Sequence, residues 1–340
     1  MVSKSGWKIA IIKGDGIGED VINASLPVID ATKERFKINL TYKFGEGGLH
    51  CVEKYGTNLP EETVTLMKNS DCVIKGPATT PEGASSLSSL AVKIREMFDL
   101  YANVRPSKAL PNVKSIKPGI DLVIVRENTE GLYAGLDFSV DKNTAIGIRL
   151  ITRGACERIC RFAFDLAKKR KGHVTLVHKA NILKASDGLF KEVFYTESRK
   201  HPKIRADDVH VDAMTQWLIS KPETYDVIVT ENLFGDIISD EAAETVGGIG
   251  VGPAANIGKD YAMFEPIHGS APKYTGMDKV NPIATILSVK MMFEWMGYDK
   301  AANAIQVAVE SVLREGKVLT YDLGGTAKCS EVGKEIAGKI

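Results

Sequence analysis

The sequence predicts an α/β protein whose central strands are buried on both faces, and three observations support this prediction. Short runs rich in β-branched residues alternate with amphipathic helical patterns over most of the 340 residues. Several of these runs are almost continuously apolar, as in "DLVIVRE" (121–127) and "YDVIVTE" (225–231), which is typical of strands covered on both sides. A glycine-rich turn, "KGDGIGED" (13–20), separates the first strand from the helix that follows it.

The elements succeed one another without an internal repeat or a flexible linker. Runs of four to eight β-formers predict strands at 8–14, 38–44, 72–76, 121–127, 173–179, 208–212 and 225–231. Apolar residues at three- and four-residue spacing predict helices at 19–36, 61–70, 157–171, 183–199, 283–296 and 299–315. In the absence of a linker, we expect any two lobes to share a continuous sheet or to exchange the chain.

Composition excludes several classes of protein. Apolar residues make up 44% and charged residues 26%, as in ordinary globular proteins, and the formal net charge is +1. Such a chain has no overall basic field that would attract nucleic acid or a membrane surface. It also has no apolar run near the ~20 residues of a membrane span. The five cysteines form no CxxC pair, and a reducing cytoplasm is the expected location.

The first glycine-rich loop resembles a dinucleotide-binding fingerprint but does not match it. Gly14, Gly16 and Gly18 are spaced G-x-G-x-G, and Glu19 occupies the place where the third glycine is required. The loop therefore predicts a tight strand-to-helix turn and not a Rossmann domain.

Three arginines stand near the ends of predicted elements. Arg95 and Arg126 end apolar stretches, and Pro106 forces Arg105 into an extended or turn conformation. Each alone reads as an ordinary ion-pairing residue. Together they suit a ligand with several carboxylates, because the guanidinium fork grips a carboxylate through two hydrogen bonds.

Two aspartates lie four residues apart in "ENLFGDIISDEAAE" (231–244), where a strand gives way to a helix. Asp236 and Asp240 would repel each other on one helical face, at a cost on the order of 0.2–0.5 kcal/mol. Either carboxylate could simply favour a helix N-terminus. Alternatively, with Asp212 as a third carboxylate, they provide the oxygen ligands that Mg²⁺ or Mn²⁺ prefers.

Two more segments offer reactive or polar groups. Lys179 ends a predicted buried strand and could act as a base or simply extend to the surface, whereas Tyr133 is either an acid or a packed aromatic residue. The loop at 264–282, "FEPIHGSAPKYTGMDKVNP", could hold phosphates and a base, or it could be a surface crossover with a structural histidine.

Taken together, these residues resemble one family, the β-decarboxylating dehydrogenases of 2-hydroxy acids. The motifs "GDGIG", "KGPATTP", "FDLYANVRP", "RENTEG", "VHKANI", "NLFGDIISDEA", "GPAANIG", "HGSAP" and "NP" occur in the family order over nearly the whole chain. The resemblance implies oxidation of isocitrate, homoisocitrate or 3-isopropylmalate with NAD or NADP and a divalent metal. It also implies a two-lobed fold with a shared mixed sheet, in which the dinucleotide is bound without a Rossmann domain.

The resemblance assigns roles to individual residues. The substrate-binding residues would be Ser89, Arg95, Arg105, Arg126 and Asn181, and the catalytic pair would be Tyr133 and Lys179. Mg²⁺ or Mn²⁺ would bind to Asp212, Asp236 and Asp240. The cofactor would contact Thr80, His268, Gly269, Lys273, Tyr274, Asn281, Tyr321 and Lys221. Because Lys179 and Asp212 would come from the partner subunit, the implied active unit is at least a homodimer.

Specificity depends on a few positions. Ser89 matches isocitrate enzymes, but Ala91 replaces their usual asparagine, and Lys93 is the nearest group that could restore a polar contact. We therefore place isocitrate first and homoisocitrate, or 3-isopropylmalate, second. Lys273 and Tyr274 resemble an NADP phosphate site, although the arginine expected near Gly325 is absent, so NAD is the alternative.

The resemblance also implies a domain division and an alternative of another class. Residues 1–101 plus 248–340 would form the large cofactor-binding domain, and 102–247 a smaller domain with the dimer interface. The alternative is a non-catalytic regulatory subunit of a hetero-oligomeric dehydrogenase. Such subunits typically lose some of the metal aspartates, the lysine or the tyrosine, all of which are present here.

Overall fold

A computed structural model describes residues 6–80 and 87–340; Pro81, the last residue of the "KGPATTP" motif, lies outside these ranges. The strands are β1 (Trp7–Ile12), β2 (Leu40–Gly45), β3 (Cys72–Lys75), β4 (Ala102–Lys108), β5 (Asp121–Glu127), β6 (Asp137–Asp141), β7 (Thr144–Gly147), β8 (His173–His178), β9 (Arg205–His210), β10 (Val227–Thr230), β11 (Pro253–Ile257) and β12 (Ala262–Pro266). The α-helices are α1 (Gly18–Arg35), α2 (His50–Tyr55), α3 (Glu61–Lys68), α4 (Leu90–Met97), α5 (Arg153–Ala167), α6 (Ser186–Ser198), α7 (Val211–Ser220), α8 (Asn232–Glu244), α9 (Ile283–Trp295), α10 (Asp299–Glu315) and α11 (Cys329–Ala337).

Within the described residues, ten strands form one mixed sheet in the order β2-β1-β3-β12-β11-β4-β5-β10-β8-β9. Its two outer parts are parallel, whereas β11 is antiparallel to both neighbours and β4 is antiparallel to β5. This arrangement confirms the α/β fold with a shared mixed sheet. The proposed boundary between 1–101 plus 248–340 and 102–247 would fall between β11 and β4, and it remains a prediction.

The three strands at the centre of this order, β12, β11 and β4, were not predicted as strands. Each carries a buried polar side chain, as in Glu265, Asn256 and Arg105, so none reads as a continuous apolar run. The strand predicted at 208–212 is also wrong at its end, because β9 stops at His210. Asp212 therefore lies in the first turn of α7 and not at the end of a strand.

Helices cover both faces of the β5-β10-β8 part of the sheet. Alternate residues of β5 point to opposite sides: Val123 and Val125 pack in the core that includes α5 and α6, whereas Leu122 and Ile124 pack in the core that includes α7 and α8. Arg126 follows the second set and thus faces α8. Gly235 allows this approach, since a Cβ atom there would lie 2.6 Å from Arg126 Cγ.

A small hairpin, β6–β7, is separate from the main sheet and exposed along its length. Its strands and flanks include Phe138, Val140, Ile146 and Ile148, all with large exposed fractions. No helix within the described ranges is long and apolar enough to cross a membrane.

Candidate active site

The sheet register brings two of the predicted substrate arginines together. Asn103 of β4 pairs with Arg126 of β5, and Arg105 pairs with Ile124, two residues before Arg126. Arg105 and Arg126 are therefore diagonal neighbours on one face of the sheet, and both side chains are buried. The antiparallel pairing of β4 with β5 creates this contact between residues 21 positions apart.

Helix α8 supplies the two predicted metal aspartates to the same place. Arg105 Nη1 donates to Asp240 Oδ1 at 3.0 Å, and its Nη2 lies 3.3 Å from Asp236 Oδ1. Arg126 and the hydroxyl of Tyr133 also donate to Asp236. The structure thus brings together Arg105, Arg126, Tyr133, Asp236 and Asp240, which we call the arginine–aspartate cluster.

Charge is not balanced evenly within the arginine–aspartate cluster. Burial, followed by repulsion from Arg105 and Arg95, lowers the pKa of Arg126 to about 10. Burial opposes ionisation of Asp236, but the charges of Arg126 and Arg105 hold its pKa below the usual value. Arg126 Nη2 is buried and has no hydrogen-bond partner among the described residues. An additional anionic group would satisfy this donor.

Arg95 belongs to an adjoining buried network. Its Nη2 donates to Glu265 Oε1 at 3.0 Å, and Lys75 Nζ lies 2.9 Å from Glu265 Oε2. Burial alone would raise the pKa of Glu265, yet Lys75 and Arg95 hold it far below its usual value. Asn256 connects this carboxylate to Asn103, which accepts from Arg105 Nε at 2.9 Å. This network was not predicted, because its signal in the sequence is no more than polar residues inside otherwise apolar segments.

A cavity of about 150 Å³ is lined by residues from both predicted sets, the substrate-binding and the cofactor-binding residues. Its lining includes Ser89, Ala91, Arg95, Arg105, His268 and Gly269. Lys93 does not line it, because its amine donates to Asn58 Oδ1 at 2.6 Å. The side of the cavity formed by α4 therefore presents a serine hydroxyl and an alanine methyl group.

Lys179 and Asp212 form a second, separate group. They make an ion pair with each other, because Lys179 follows β8 and Asp212 begins α7 beside the neighbouring strand β9. Among the described residues no three His, Cys, Asp or Glu side chains converge to hold a metal ion. One chain thus brings Asp236 and Asp240 together but leaves Asp212 elsewhere. Asn181 is exposed in the turn after Lys179.

Most of the predicted cofactor residues lie on two segments, the loop between β12 and α9 and the turn after α10. His268 is buried, which lowers its pKa, and its Nε2 has no hydrogen-bond partner among the described residues. Tyr274 and Tyr321 lie side by side, with ring centroids 6.0 Å apart, and Lys273 lies over the ring of Tyr274. Lys279, which the sequence analysis missed, lies 4.6 Å from the centroid of Tyr321.

The remaining predicted cofactor residues are more scattered. Asn281 donates to Asp322 Oδ2 at 2.9 Å just before α9, and Thr80 is exposed beside the undescribed segment. Lys221 lies at the C-terminal end of α7, where its amine covers the ring of Trp217 at 3.8 Å. The first glycine-rich loop packs against the loop that carries His268, since a Cβ atom on Gly16 would lie 2.0 Å from the carbonyl oxygen of Ser270.

Comparison with known proteins places the whole chain in one group. The family model described as isocitrate/isopropylmalate dehydrogenase matches residues 8–336. The chain is 46% identical to the 3-isopropylmalate/3-methylmalate dehydrogenase of Methanocaldococcus jannaschii, with 98% of each chain covered. It is 44% identical to the homoisocitrate dehydrogenase of the same organism, covering 98% of this chain and 97% of the relative.

A solved structure agrees with these matches. The isocitrate dehydrogenase of Methylococcus capsulatus superimposes with a TM-score of 0.93 at 40% identity, covering 98% of this chain and 99% of the other. The chain therefore belongs to the isocitrate/isopropylmalate dehydrogenase family, whose members are oxidative decarboxylating dehydrogenases that use NAD(P) and a divalent metal.

Proposed function

We propose that the protein oxidises a 2-hydroxy acid bearing a carboxylate on C3, with transfer of hydride to NADP or NAD and loss of that carboxylate as CO₂. The arginine–aspartate cluster is the observation that carries this proposal. It combines buried guanidinium groups, which bind carboxylates, with two carboxylates that suit a divalent cation.

The arginines would bind and orient the substrate. Arg126 offers Nη2, and Arg105 is held from behind by Asn103 and Ser239, so little side-chain freedom remains to be lost on binding. Arg95, fixed by Glu265, would bind a further carboxylate from the opposite side of the cavity. These groups would set the C2–H bond of the substrate toward the nicotinamide.

Asp236 and Asp240, completed by Asp212 of a second copy, fit Mg²⁺ or Mn²⁺ because all three offer oxygen donors. Such an ion would provide Lewis-acid polarisation of a substrate oxygen. Lys179 would accept the proton of the 2-hydroxyl group, either directly or through Asp212, with which it is paired. The electrons of the C2–H bond would leave as hydride, and the C3–carboxylate bond would then break.

Tyr133 would return a proton to C3 after CO₂ has left. Burial and the hydrogen bond to Asp236 raise its pKa, so the hydroxyl remains protonated at neutral pH and can donate. Its position within the arginine–aspartate cluster supports this role.

A homodimer would complete each site. Lys179 and Asp212 lie apart from the cluster in their own chain, so a second copy must supply them. The exposed apolar residues of β6–β7 and the exposed Ile219 of α7 and Ile237 of α8 would form the interface, since a two-stranded hairpin is marginal on its own.

Homoisocitrate or 3-isopropylmalate is the substrate favoured here, ahead of isocitrate. Ala91 leaves more room in the cavity than the asparagine of isocitrate enzymes, which would suit the longer carboxylated arm of homoisocitrate, with Ser89 as its polar contact, or the branched apolar arm of 3-isopropylmalate. The names of the relatives at 46% and 44% identity support this order. Ser89 itself favours isocitrate as the second candidate. For the cofactor, Lys273, Tyr274 and Tyr321 favour NADP, with Lys221 of a second copy as a further cation.

The test is to measure initial rates of the isolated protein with Mn²⁺, combining the three substrates with NADP and NAD. We expect homoisocitrate or 3-isopropylmalate with NADP to give the highest kcat/KM. Dominant isocitrate turnover would mean that Ser89 outweighs Ala91. No turnover with any combination would overturn the enzymatic proposal and favour the regulatory-subunit alternative.

A further inference from the structure

Arg149, immediately after the β6–β7 hairpin, bridges two buried carboxylates. Its Nη1 donates to Asp187 Oδ1 at 2.5 Å and to Ser186 Oγ at 3.1 Å, and its Nη2 lies 3.5 Å from Glu231 Oε1. The side chains of Asp187 and Glu231 are only 1% and 2% exposed. Nη2 makes no hydrogen bond among the described residues, so Arg149 holds Glu231 by charge alone, and one positive charge is shared between two carboxylates that water barely reaches.

Each of these carboxylates holds a different functional segment. Asp187 Oδ2 accepts the backbone N–H of Lys179 at 2.6 Å, which fixes the turn after β8. Glu231 caps α8 by accepting the backbone N–H groups of Phe234 at 2.8 Å and Leu233 at 3.1 Å. The capped helix carries Asp236 and Asp240 one and two turns further on.

Sharing one cation couples the two segments energetically. If Glu231 is neutralised or displaced, the attraction that holds Nη2 is lost and the guanidinium group can reorient about Asp187, to which Nη1 already donates, so the hydrogen bond to the Lys179 turn must adjust. Likewise, if Asp187 is neutralised, Arg149 can move toward Glu231, and the hydrogen bonds with which Glu231 caps α8 must adjust. Buried charges within one ion-pair network generally fail to behave independently.

We infer that Arg149 is a positioning residue that couples the turn carrying Lys179 to the helix carrying Asp236 and Asp240. The inference rests on the proposed function for its catalytic meaning. In the proposed homodimer, Lys179 serves the partner's site whereas Asp236 and Asp240 serve their own. Arg149 therefore links the base of one active site to the metal-binding helix of the other.

The chain offers a matched control in Arg170. This arginine also bridges two carboxylates, Asp121 and Asp226, each at 2.8 Å, but it lies at the amino ends of β5 and β10. Asp226 accepts the backbone N–H of His173 at 3.3 Å, at the opposite end of β8 from Lys179, so neither carboxylate contacts the turn or the helix under test. Arg170→Met thus removes the same kind of bridge at the opposite ends of the strands.

The first experiment measures amide hydrogen exchange and does not depend on activity. We expect Glu231→Gln to speed exchange in the peptide that contains Lys179 at least threefold, and Asp187→Asn to do the same in the first turn of α8. Arg170→Met should change exchange in these two peptides no more than in the rest of the chain, since its effect is on global stability. Unaltered exchange at the remote segment in both carboxylate variants would overturn the inference.

The second experiment is a double-mutant cycle of Asp187→Asn and Glu231→Gln, measured in kcat and in the Mn²⁺ concentration that gives half-maximal rate. We expect the combined effect to differ at least threefold from the product of the single effects, and this difference to disappear in the Arg149→Met background. Purely multiplicative effects would contradict the coupling. Arg149→Lys, which reaches one carboxylate at a time, should recover only one of the two parameters.

These readouts separate the two proposals. A wild-type protein that turns over none of the substrates would refute the proposed function, while the exchange measurements would still decide the coupling. If Arg149→Met does not fold, the cycle between the two carboxylate variants and the exchange data remain decisive.

Discussion

The two ends of strands β5 and β10 carry arginines in opposite electrostatic situations. At the amino ends, hydrogen bonds and charges from Asp121 and Asp226 outweigh the effect of burial and raise the pKa of Arg170. At the carboxyl ends, burial and the neighbouring arginines lower the pKa of Arg126 to about 10. The amino ends of these strands thus adjoin an arginine paired with two carboxylates, and the carboxyl end of β5 holds one that keeps an unpartnered donor among the described residues.

This difference indicates that Arg170 stabilises the fold, whereas Arg126 has a donor available for a ligand. Arg170 is matched by two carboxylates at 2.8 Å, whereas Arg126 keeps a buried Nη2 without a partner among the described residues. Unfavourable arrangements of buried charge persist mainly where function requires them. Substitutions at the two ends should therefore change different properties.

The largest contrast is expected between Arg126→Met and Arg170→Met. Truncating one partner of a buried charged contact costs about 2–5 kcal/mol of binding free energy, so Arg126→Met should lower kcat/KM about 10³-fold. Thermal stability should fall little, because the repulsion between Arg126 and Arg105 disappears and Asp236 still pairs with Arg105 and Tyr133. Arg170→Met should lower the free energy of unfolding by about 3 kcal/mol while kcat changes less than about twofold. Steady-state rates and denaturant unfolding measure both. Equal effects of the two variants on both properties would remove the distinction.

Tyr133→Phe tests whether the hydroxyl in the arginine–aspartate cluster acts chemically. Removing a general acid should lower kcat about 10²-fold, while KM stays nearly constant because the ring remains in place. Tyr225→Phe, at a buried tyrosine in the core with α7 and α8, is the control and should leave kcat unchanged. An equal decrease in both variants would argue for packing as the cause.

Ala91→Asn tests whether the cavity lined by Ser89, Arg95 and Arg105 sets the choice of substrate, and it does so without altering a charge. The added amide should favour isocitrate over homoisocitrate by about tenfold in the ratio of kcat/KM values, since one pocket contact gives roughly that discrimination. Competition assays with both substrates measure the ratio directly. An unchanged ratio would show that Ala91 does not set substrate choice.

The smallest expected effects are opposite changes of stability with pH. The pKa of Asp240 is raised by burial and by Asp236, against the charge of Arg105, so its ionised form destabilises the fold above that pKa. More than half of the side chain is exposed and therefore screened, so Asp240→Asn should raise Tm at pH 7 by only about 1 °C. Burial would raise the pKa of Asp121, but Arg170 lowers it, so Asp121→Asn should lower Tm at pH 7 by a similar amount.

The two differences should vanish under different conditions. The stabilisation from Asp121 is present above its unfolded-state pKa near 4 and is lost as pH falls through the lower folded-state value. The gain from Asp240→Asn is full above the raised folded-state pKa of Asp240 and has disappeared once the pH falls below the unfolded-state value near 4, which is where the loss from Asp121 only begins. Thermal unfolding in EDTA from pH 7 to pH 3 measures both; changes of the same sign at pH 7 would contradict the assignment.

The sequence predicted β5, β8 and β10 well because they are largely apolar runs that need no knowledge of their neighbours, whereas the mostly polar β9 was predicted at 208–212 and lies at Arg205–His210. It missed β4, β11 and β12, since Arg105, Asn256 and Glu265 are buried only because they satisfy one another across the sheet. Asp236 and Asp240 could be paired from helical spacing alone. The contact of Asp236 with Arg126 required the register, and the role of Arg149 required tertiary distances between residues far apart in the chain.

The position of β11 and β12 affects how the protein is made. These strands lie between β3 and β4 in the sheet but follow residue 252 in the chain. In a nascent chain that has emerged only as far as α8, the edges of β3 and β4 therefore lack their neighbours β12 and β11, and such unpaired strand edges favour aggregation. The middle of the sheet can form only after the last quarter of the chain has been synthesised. We therefore expect a chain that ends before β11 to aggregate and not to fold as a smaller domain.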